Sequence, residues 1–422
     1  MKTLPQPDEE SLLPVSHRKC ALLIVDGLGD LPVMELGGKT PLEAAHTPVF
    51  DRLAGEGLYG QVDPIIPGTV PNTHSGVGML MGLLPEQAGR LKRGPVEASG
   101  AGRVLAPGEI AVRANFATLE PRNGALFVAD RRAGRITSGT NELAALLADV
   151  DLGDGVRANL VATDQHRAVL VLSGSGLDAS ISDTDPGDGM LPAELNRCCA
   201  LSPEAEFTAA KLNRFVDEAY LRLQGHPINI ARVQEGKLPA NGLITRGAGA
   251  QFNLDNVLHE QGIRTAVISG CNTVLGLGRI FGFDTISDPR FTADLDTDLH
   301  AKVAAVRSAL QDHEMVCLHV KAPDICAHDR QPLAKRDFLQ RLDEALEPLL
   351  EADVIIAISA DHTTDSNSGF HTADPVPTLV NQARTLEPIS AVNFGEAACR
   401  QGNMPRQLSN QFLLRLIQMM AH

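Results

Sequence analysis

Three short stretches of this chain pair an apolar run with residues that can bind a cation. Asp361, His362 and His371 fall within eleven positions. A carboxylate and two imidazoles so close together make a half-site for a divalent metal. Asp26 and Gly27 follow the run CALLIV, and Asp324 and His328 follow MVCLHV after a short KAP linker. Asp324 and His328 are four apart, so on a helical turn both face the same way. A second kind of chemistry lies at 69–75, where the hydroxyls of Thr69, Thr73 and Ser75 precede or begin an apolar helix expected at about 75–83. A hydroxyl there caps the helix, and a phosphorylated nucleophile there would be stabilised by free N–H groups. The segment ADRRAGRI sets Arg131, Arg132 and Arg135 within five positions, the makings of a phosphate or carboxylate site.

These residues need elements to hold them. The run 354–360 is apolar except for Ser359 and too short for a typical helix, so it reads as a strand buried on both faces. It ends at Asp361-His362, followed by a polar loop to His371. In open α/β sheets ligands bind beyond the carboxyl ends of the strands. Three strands delivering carboxylates to one sheet edge are more specific than any single motif. Thr40-Pro41 and Thr47-Pro48 read as helix starts, the second helix ending at Gly55 or Gly57. Helices are also expected at 335–350 and 407–420, and a last strand at 391–394. From about 107 the texture changes. Strand-like runs at 110–116, 125–128 and 169–172, with helices at 142–147 and 204–224, indicate an α+β insertion. Doubly wound character returns with TRGAG at 245–249. The expected division is a core of 1–106 and 248–422, with an inserted substrate domain at 107–247.

The chain has 422 residues, 43% of them hydrophobic, with no Trp and a formal net charge of −15. The length favours two domains. The charge argues against nucleic acid or anionic lipid as a partner, and an anionic substrate would need local positive charge from metals or clustered Arg. No apolar run approaches membrane-spanning length. The first nineteen residues lack an apolar signal core and read as a loosely docked extension. Seven Cys without a CxxC pair suit reduced thiols in a cytoplasm. The GxxxxGK[ST] loop of P-loop ATPases is absent.

Taken together, LLIVDGLGD, KTPLEAAHTPVFDRLAGEG, the GPVEASGAG segment from Gly94, NFAT from Asn115, DRRAGRI, SDTDPG, LITRGAG, APDICAH and ADHTTDSNSGFHTADPVP resemble the archaeal-type cofactor-independent phosphoglycerate mutases of the alkaline phosphatase superfamily. The likeness spans roughly residues 20–415. It implies an α/β, alkaline-phosphatase-like doubly wound core with an inserted α+β substrate domain. The implied function is interconversion of 3- and 2-phosphoglycerate through a phosphoenzyme, with two divalent ions, Mn or Zn. One ion would be held by Asp324, His328 and His371. The other would be held by Asp26, Asp361, His362 and the nucleophile hydroxyl. Arg131, Arg132, Arg135 and Arg246 would hold phosphate and carboxylate. Ungapped alignment puts Thr73 at the nucleophile position, with Thr69 and Ser75 as the other candidates. Val77 and Leu275 stand where such proteins carry a histidine and a phosphate-binding lysine. A phosphatase, phosphodiesterase or other phosphotransferase on the same scaffold is the alternative these two positions keep open.

Overall fold

The run Cys20–Val25 is wholly buried, and no polar residue interrupts it. A strand of this kind can only sit inside a sheet covered on both faces. In the computed structural model, which describes residues 18–187, 189–251, 254, 256–381 and 392–421, it is an interior strand of an eight-stranded sheet. The order across that sheet is Asp284–Ile286, Thr265–Ile268, Met315–Val320, Cys20–Val25, Ile355–Ser359, Val376–Asn381, Gly57–Asp63 and Gln407–Leu408. The first five run parallel, Val376–Asn381 runs antiparallel to both neighbours, and Gln407–Leu408 is parallel to Gly57–Asp63. Aliphatic residues from both ends of the chain fill the layers around it, with Phe50 and Phe394 packed edge to face.

Register places the chemistry. Val25 pairs with Val320, so Asp26 emerges beside Lys321; Ile24 pairs with Ser359, so two residues further on Asp26 lies beside Asp361. The turn after Asp26 is tight. Gly27 has φ +63°, and a Cβ there would lie 2.8 Å from Thr364 Oγ1 and 3.0 Å from the Asp324 Cα. Glycine alone allows this approach at that φ.

A second sheet lies between residues 110 and 250. Its order is Val150–Asp151, Arg157–Ala162, Arg167–Ser173, Ile110–Arg122, Ala125–Asp130 and Ala193–Glu194, with Gly242–Ala250 also pairing antiparallel to Ile110–Arg122. The helix Glu206–Leu223 packs its apolar face on a separate aliphatic core. TRGAG therefore belongs to this antiparallel sheet. Parallel pairing resumes only at Thr265–Ile268, because residues 242–250 find their hydrogen-bond partners on Ile110–Arg122.

Other elements shift by a few residues. The helix expected at 75–83 is Thr73–Leu80, because Asn72 takes the N-cap: its side chain accepts from the Ser75 N–H, and Ser75 Oγ accepts from the Asn72 N–H. The helix expected at 335–350 is Pro332–Ala345, and the C-terminal one is Ser409–Met420. The loop from 362 to His371 is a small hairpin, Thr363–Asp365 against Phe370–Thr372. Of the strand expected at 391–394, residue 391 lies outside the described residues and 392–394 is irregular. So does the N-terminal extension through residue 17. Among the described residues no helix is long and apolar enough to cross a membrane.

Candidate metal centre and anion pocket

Asp26, Asp324, Asp361 and His362 are all at most 1% exposed and meet at the carboxyl edge of the core sheet. Asp324 and His328 lie on the helix Ala322–His328, and His371 lies on the hairpin that folds over it. The structure thus brings together six of the seven positions expected to bind metal, and Thr73 joins them through Lys321, as shown below.

Hydrogen bonding fixes which atoms are free to bind a cation. The Nδ1 of His328 lies 2.7 Å from the Gly369 carbonyl and that of His371 2.9 Å from the Pro71 carbonyl. Carbonyls only accept, so each Nδ1 carries the proton and each Nε2 is a lone pair. Those two lone pairs face each other at 3.1 Å, with Asp324 Oδ1 3.3 and 3.5 Å away. Three acceptors converging with no donor between them are the signature of a cation site. A second convergence involves His362. Thr364 Oγ1 donates to Asp324 Oδ1 at 2.9 Å and so accepts from His362 Nδ1, also at 2.9 Å. That leaves His362 Nε2 pointing at Asp361 Oδ2 (3.0 Å) and Asp26 Oδ1 (3.3 Å). Neither His362 Nε2 nor Asp361 Oδ2 makes a hydrogen bond, although both are buried. By distance alone His362 also groups with Asp324 and His371. Its Nδ1, the atom facing that side at 3.9 Å, is committed to Thr364, so His362 sits with Asp26 and Asp361. The donors fit divalent metal ions, and mixed Asp and His ligands suit transition metals better than Mg.

The carboxylates call for positive charge at these positions. Burial lowers and Asp361 and Asp26 raise the His362 imidazole, and the carboxylates win, taking it to about 10. Burial pushes the Asp26 and Asp324 carboxyls up, but Lys321 and the surrounding histidines together outweigh it and hold both below the usual carboxylate range. An outer ring holds the inner one. His319 Nε2 meets Asp26 Oδ2 at 2.9 Å while its Nδ1 meets the Ser269 hydroxyl at 3.2 Å. Lys335, wholly buried, pairs with Asp30 at 2.7 Å, and Asp30 in turn accepts from Ser366. This pair ties the 26–30 turn to the 361–366 turn.

Of the three candidate hydroxyls, Thr69 is exposed and Ser75 is spent on the helix cap. Thr73 is buried, its Oγ1 3.2 Å from the Lys321 ammonium that also bridges Asp26 and Asp324. The next residue, His74, faces a second pocket. Burial, together with Arg93, Arg113 and Arg246, lowers its imidazole to about 3. Arg93 and Arg113 both lie 3.7 Å from Glu97, and Arg113 is only 2% exposed with its Nε and Nη1 unbonded. Arg167 and His166 adjoin them, and burial with Arg167, Arg113, Arg132 and Arg135 lowers His166 to about 2. So many guanidinium groups around one carboxylate need an anion, and planar guanidinium suits phosphate and carboxylate oxygens.

The arginines expected from sequence are only partly in this pocket. Arg246 is; its Nη1 also lies 3.9 Å from Asp185, which accepts from Arg131 at 2.6 Å. Arg135 pairs with Asp329, and Arg132 is exposed on the same turn. Sequence reasoning missed Arg93, Arg113, His74 and Lys321. A signal existed for Arg113, a lone charge inside an apolar strand run. Val77 is wholly buried in the aliphatic core, and Leu275 is buried on the helix Asn272–Ile280.

An α/β sheet whose strand ends gather Asp and His donors able to hold a cation, beside a second sheet whose arginines crowd one carboxylate, has the chemistry of a metal-dependent phosphoryl-transfer enzyme. Comparison with known proteins narrows this. A family model for 2,3-bisphosphoglycerate-independent phosphoglycerate mutase matches residues 54–229. The protein of that name from Methanopyrus kandleri is 39% identical over 414 residues, covering 96% of this chain and 97% of the relative. A solved structure from Pyrococcus horikoshii superposes with a TM-score of 0.78 at 30% identity, covering 96% of this chain and 98% of that one. The cofactor-independent phosphoglycerate mutase of Thermoplasma acidophilum superposes with a TM-score of 0.63 at 30% identity, covering 95% and 99%. The chain belongs to the 2,3-bisphosphoglycerate-independent phosphoglycerate mutase family.

Proposed function

We propose that this protein interconverts 3-phosphoglycerate and 2-phosphoglycerate, with Thr73 as the residue that carries the phosphoryl group between them. One observation carries the reading. Adjacent residues at one helix start serve the two poles of the site: Thr73 meets the Lys321 ammonium that bridges Asp26 and Asp324, and His74 lies among the arginines. A phosphoryl group on Thr73 therefore lies between cation ligands and an anion clamp.

Two divalent ions, Mn or Zn, are the cofactors of this reading, one on Asp324, His328 and His371 and the other on Asp26, Asp361, His362 and the Thr73 hydroxyl. Bound there, they supply Lewis-acid stabilisation of the charge on the transferring group and a lowered pKa for the hydroxyl. Arg93, Arg113, Arg167 and Arg246 hold the substrate's phosphate and carboxylate, with Arg131, Arg132 and Arg135 on the neighbouring turn. Thr73 Oγ1 attacks phosphorus as the bond to the 3-oxygen of glycerate breaks, and the hydroxyl proton passes to that departing oxygen. Glycerate, still held by its carboxylate, turns to present its 2-hydroxyl. That oxygen takes the phosphoryl group as the Thr73 O–P bond breaks, and the 2-hydroxyl's proton passes to Thr73. Catalysis here is mostly positioning and charge stabilisation. We read the segment expected at 107–247, carried on to Ala250 where its last strand ends, as the substrate domain and the remainder as the metal core. Seven unpaired thiols, six of them buried, are in keeping with a reducing cytoplasm.

The test is an assay of purified, Mn-loaded protein with 3-phosphoglycerate, following 2-phosphoglycerate and free phosphate together. Isomer without phosphate is the expected result. Phosphate alone would replace the reading with a hydrolase on the same scaffold. Thr73→Ala should abolish a covalent phosphoenzyme; labelling that persists would move the nucleophile elsewhere.

A further inference from the structure

Lys321 follows the Met315–Val320 strand and precedes the helix that carries Asp324. Its Nζ lies 3.0 and 2.9 Å from the two oxygens of Asp26, 2.6 Å from Asp324 Oδ2 and 3.2 Å from Thr73 Oγ1. Asp26 and Asp324 belong to different cation sites, so one ammonium spans both and touches the hydroxyl between them. An ammonium has donors and no lone pair, so at Thr73 it can only donate. The Thr73 oxygen is thereby an acceptor, and its own proton is directed away from Lys321.

We propose that Lys321 is a catalytic residue. It is a resident positive centre that bonds the Thr73 oxygen and offsets negative charge there and on the phosphoryl group while the P–O bond forms and breaks. Two observations support more than a filler between carboxylates. Leu275 and Val77 remove the lysine and histidine that the family resemblance sets near the phosphoryl group, and Lys321 is in hydrogen-bond reach of the same oxygen. Counted at the carboxylate end of the site alone, the charges also balance with it. Asp26, Asp324 and Asp361 against two divalent ions leave one positive charge; Lys321 makes two, matching a phosphoryl dianion. This count rests on the two-ion reading and on Thr73 as acceptor. A charge-assisted bond in a dry site is among the stronger single interactions a protein can offer an oxyanion.

The experiment compares the full-length, Mn-loaded parent with Lys321→Met and Lys321→Arg. Calorimetry gives Mn stoichiometry and affinity, and orthovanadate binding reports on a trigonal phosphoryl mimic. Lys321→Met should keep the parental Mn stoichiometry, with affinity equal or tighter because a like charge is gone. It should bind orthovanadate at least about tenfold more weakly, and Lys321→Arg should recover part of the loss. Orthovanadate affinity within about twofold of the parent in Lys321→Met overturns the proposal. So does loss of bound Mn, which would make Lys321 a scaffold for the carboxylates. Lys321→Gln replaces the Met variant if that fails to fold, with the same limits. Orthovanadate binding needs no turnover. A parent that fails to isomerise phosphoglycerate, with orthovanadate still lost in Lys321→Met, gives up the mutase reading and keeps this one. An active Lys321→Met enzyme with parental kcat gives up this inference alone.

Discussion

Arg135 and Asp329 tie the two sheets' units together through a paired contact: Arg135 Nη1 donates to Asp329 Oδ2 at 2.7 Å, and Nη2 donates to Oδ1. Arg135 ends the DRRAGRI turn with φ +56°, while Asp329 caps the helix that presents Asp324 and His328. The pair is partly exposed, so it contributes at most ~1 kcal/mol to stability. Its use is alignment of the arginine turn over the cation site. Arg135→Ala and Asp329→Ala should each leave the melting temperature nearly unchanged and raise KM severalfold. The double variant should be no worse than the poorer single one, because both act through one contact. Additive losses in kcat/KM would instead mean that Arg135 holds substrate on its own.

Removal of metal should be visible in stability as well as activity. The facing Nε2 lone pairs of His328 and His371 gain a positive partner when a cation binds. Chelation should lower the melting temperature, and Mn or Zn should restore it. An ion at roughly a hundredfold excess over its Kd contributes ~2.7 kcal/mol. His371→Ala should remove most of that response at one site and leave the other. Asp361→Ala should do the converse and lower kcat by orders of magnitude. A thermal shift unaffected by chelator would discard the cation assignment.

The cation site was legible in the sequence because its ligands follow directly from local rules. Apolar runs set the strand ends, and each strand end carries its own aspartate. Asp324 and His328 needed only a helical repeat to meet. The anion pocket was not legible, because Arg93, Arg113, Arg167 and Arg246 lie on separate elements that meet only through sheet pairing and helix packing. Arg113 is a charged residue inside a strand read as apolar, and that mismatch was the available clue. TRGAG was assigned to the wrong sheet because a Gly-rich strand carries little pattern to mark its partners. Among Thr69, Thr73 and Ser75 the cap is the distinguishing feature: Asn72 and Ser75 satisfy each other, and Thr73 is the buried hydroxyl beside Lys321.

Gly76 offers a test of how tightly the Thr73 helix is seated. A Cβ at Gly76 would lie 2.0 Å from the Asp361 carbonyl oxygen, a backbone atom that cannot step aside. Gly76→Ala must therefore push the helix away from the Asp361 turn. The expected loss is ~1–3 kcal/mol of stability and about a hundredfold in kcat, since Thr73 moves with its helix. Gly78→Ala is the control. Its nearest contact is a Leu83 methyl at 3.1 Å, which can rotate, so stability should change by less than ~1 kcal/mol. Equal effects at both positions would show that helix propensity, and not the contact with Asp361, sets the outcome.

Glu396 gives the pH dependence its sign. Its carboxyl is buried, accepting from the Asp30 N–H at 3.0 Å and from the Thr40 hydroxyl at 2.6 Å. Burial pushes it up to about 7, against the lowering effect of these bonds, and nearby Glu43 adds to the rise. The folded protein then holds a proton that the unfolded chain releases near its ordinary value of 4.5. Between those two values the native state binds more protons, so this group's contribution to stability falls as pH rises from about 4.5 to about 7 and stays low above. Glu396→Gln keeps an acceptor for Asp30 and can donate to Thr40, and it removes the titration. The variant should be more stable than the parent at pH 8 by ~1–3 kcal/mol, with the difference shrinking toward pH 5. Denaturant melts at both pH values would check this. A parent whose advantage over Glu396→Gln grows with pH would mean that the carboxylate is held charged by a partner, reversing the sign.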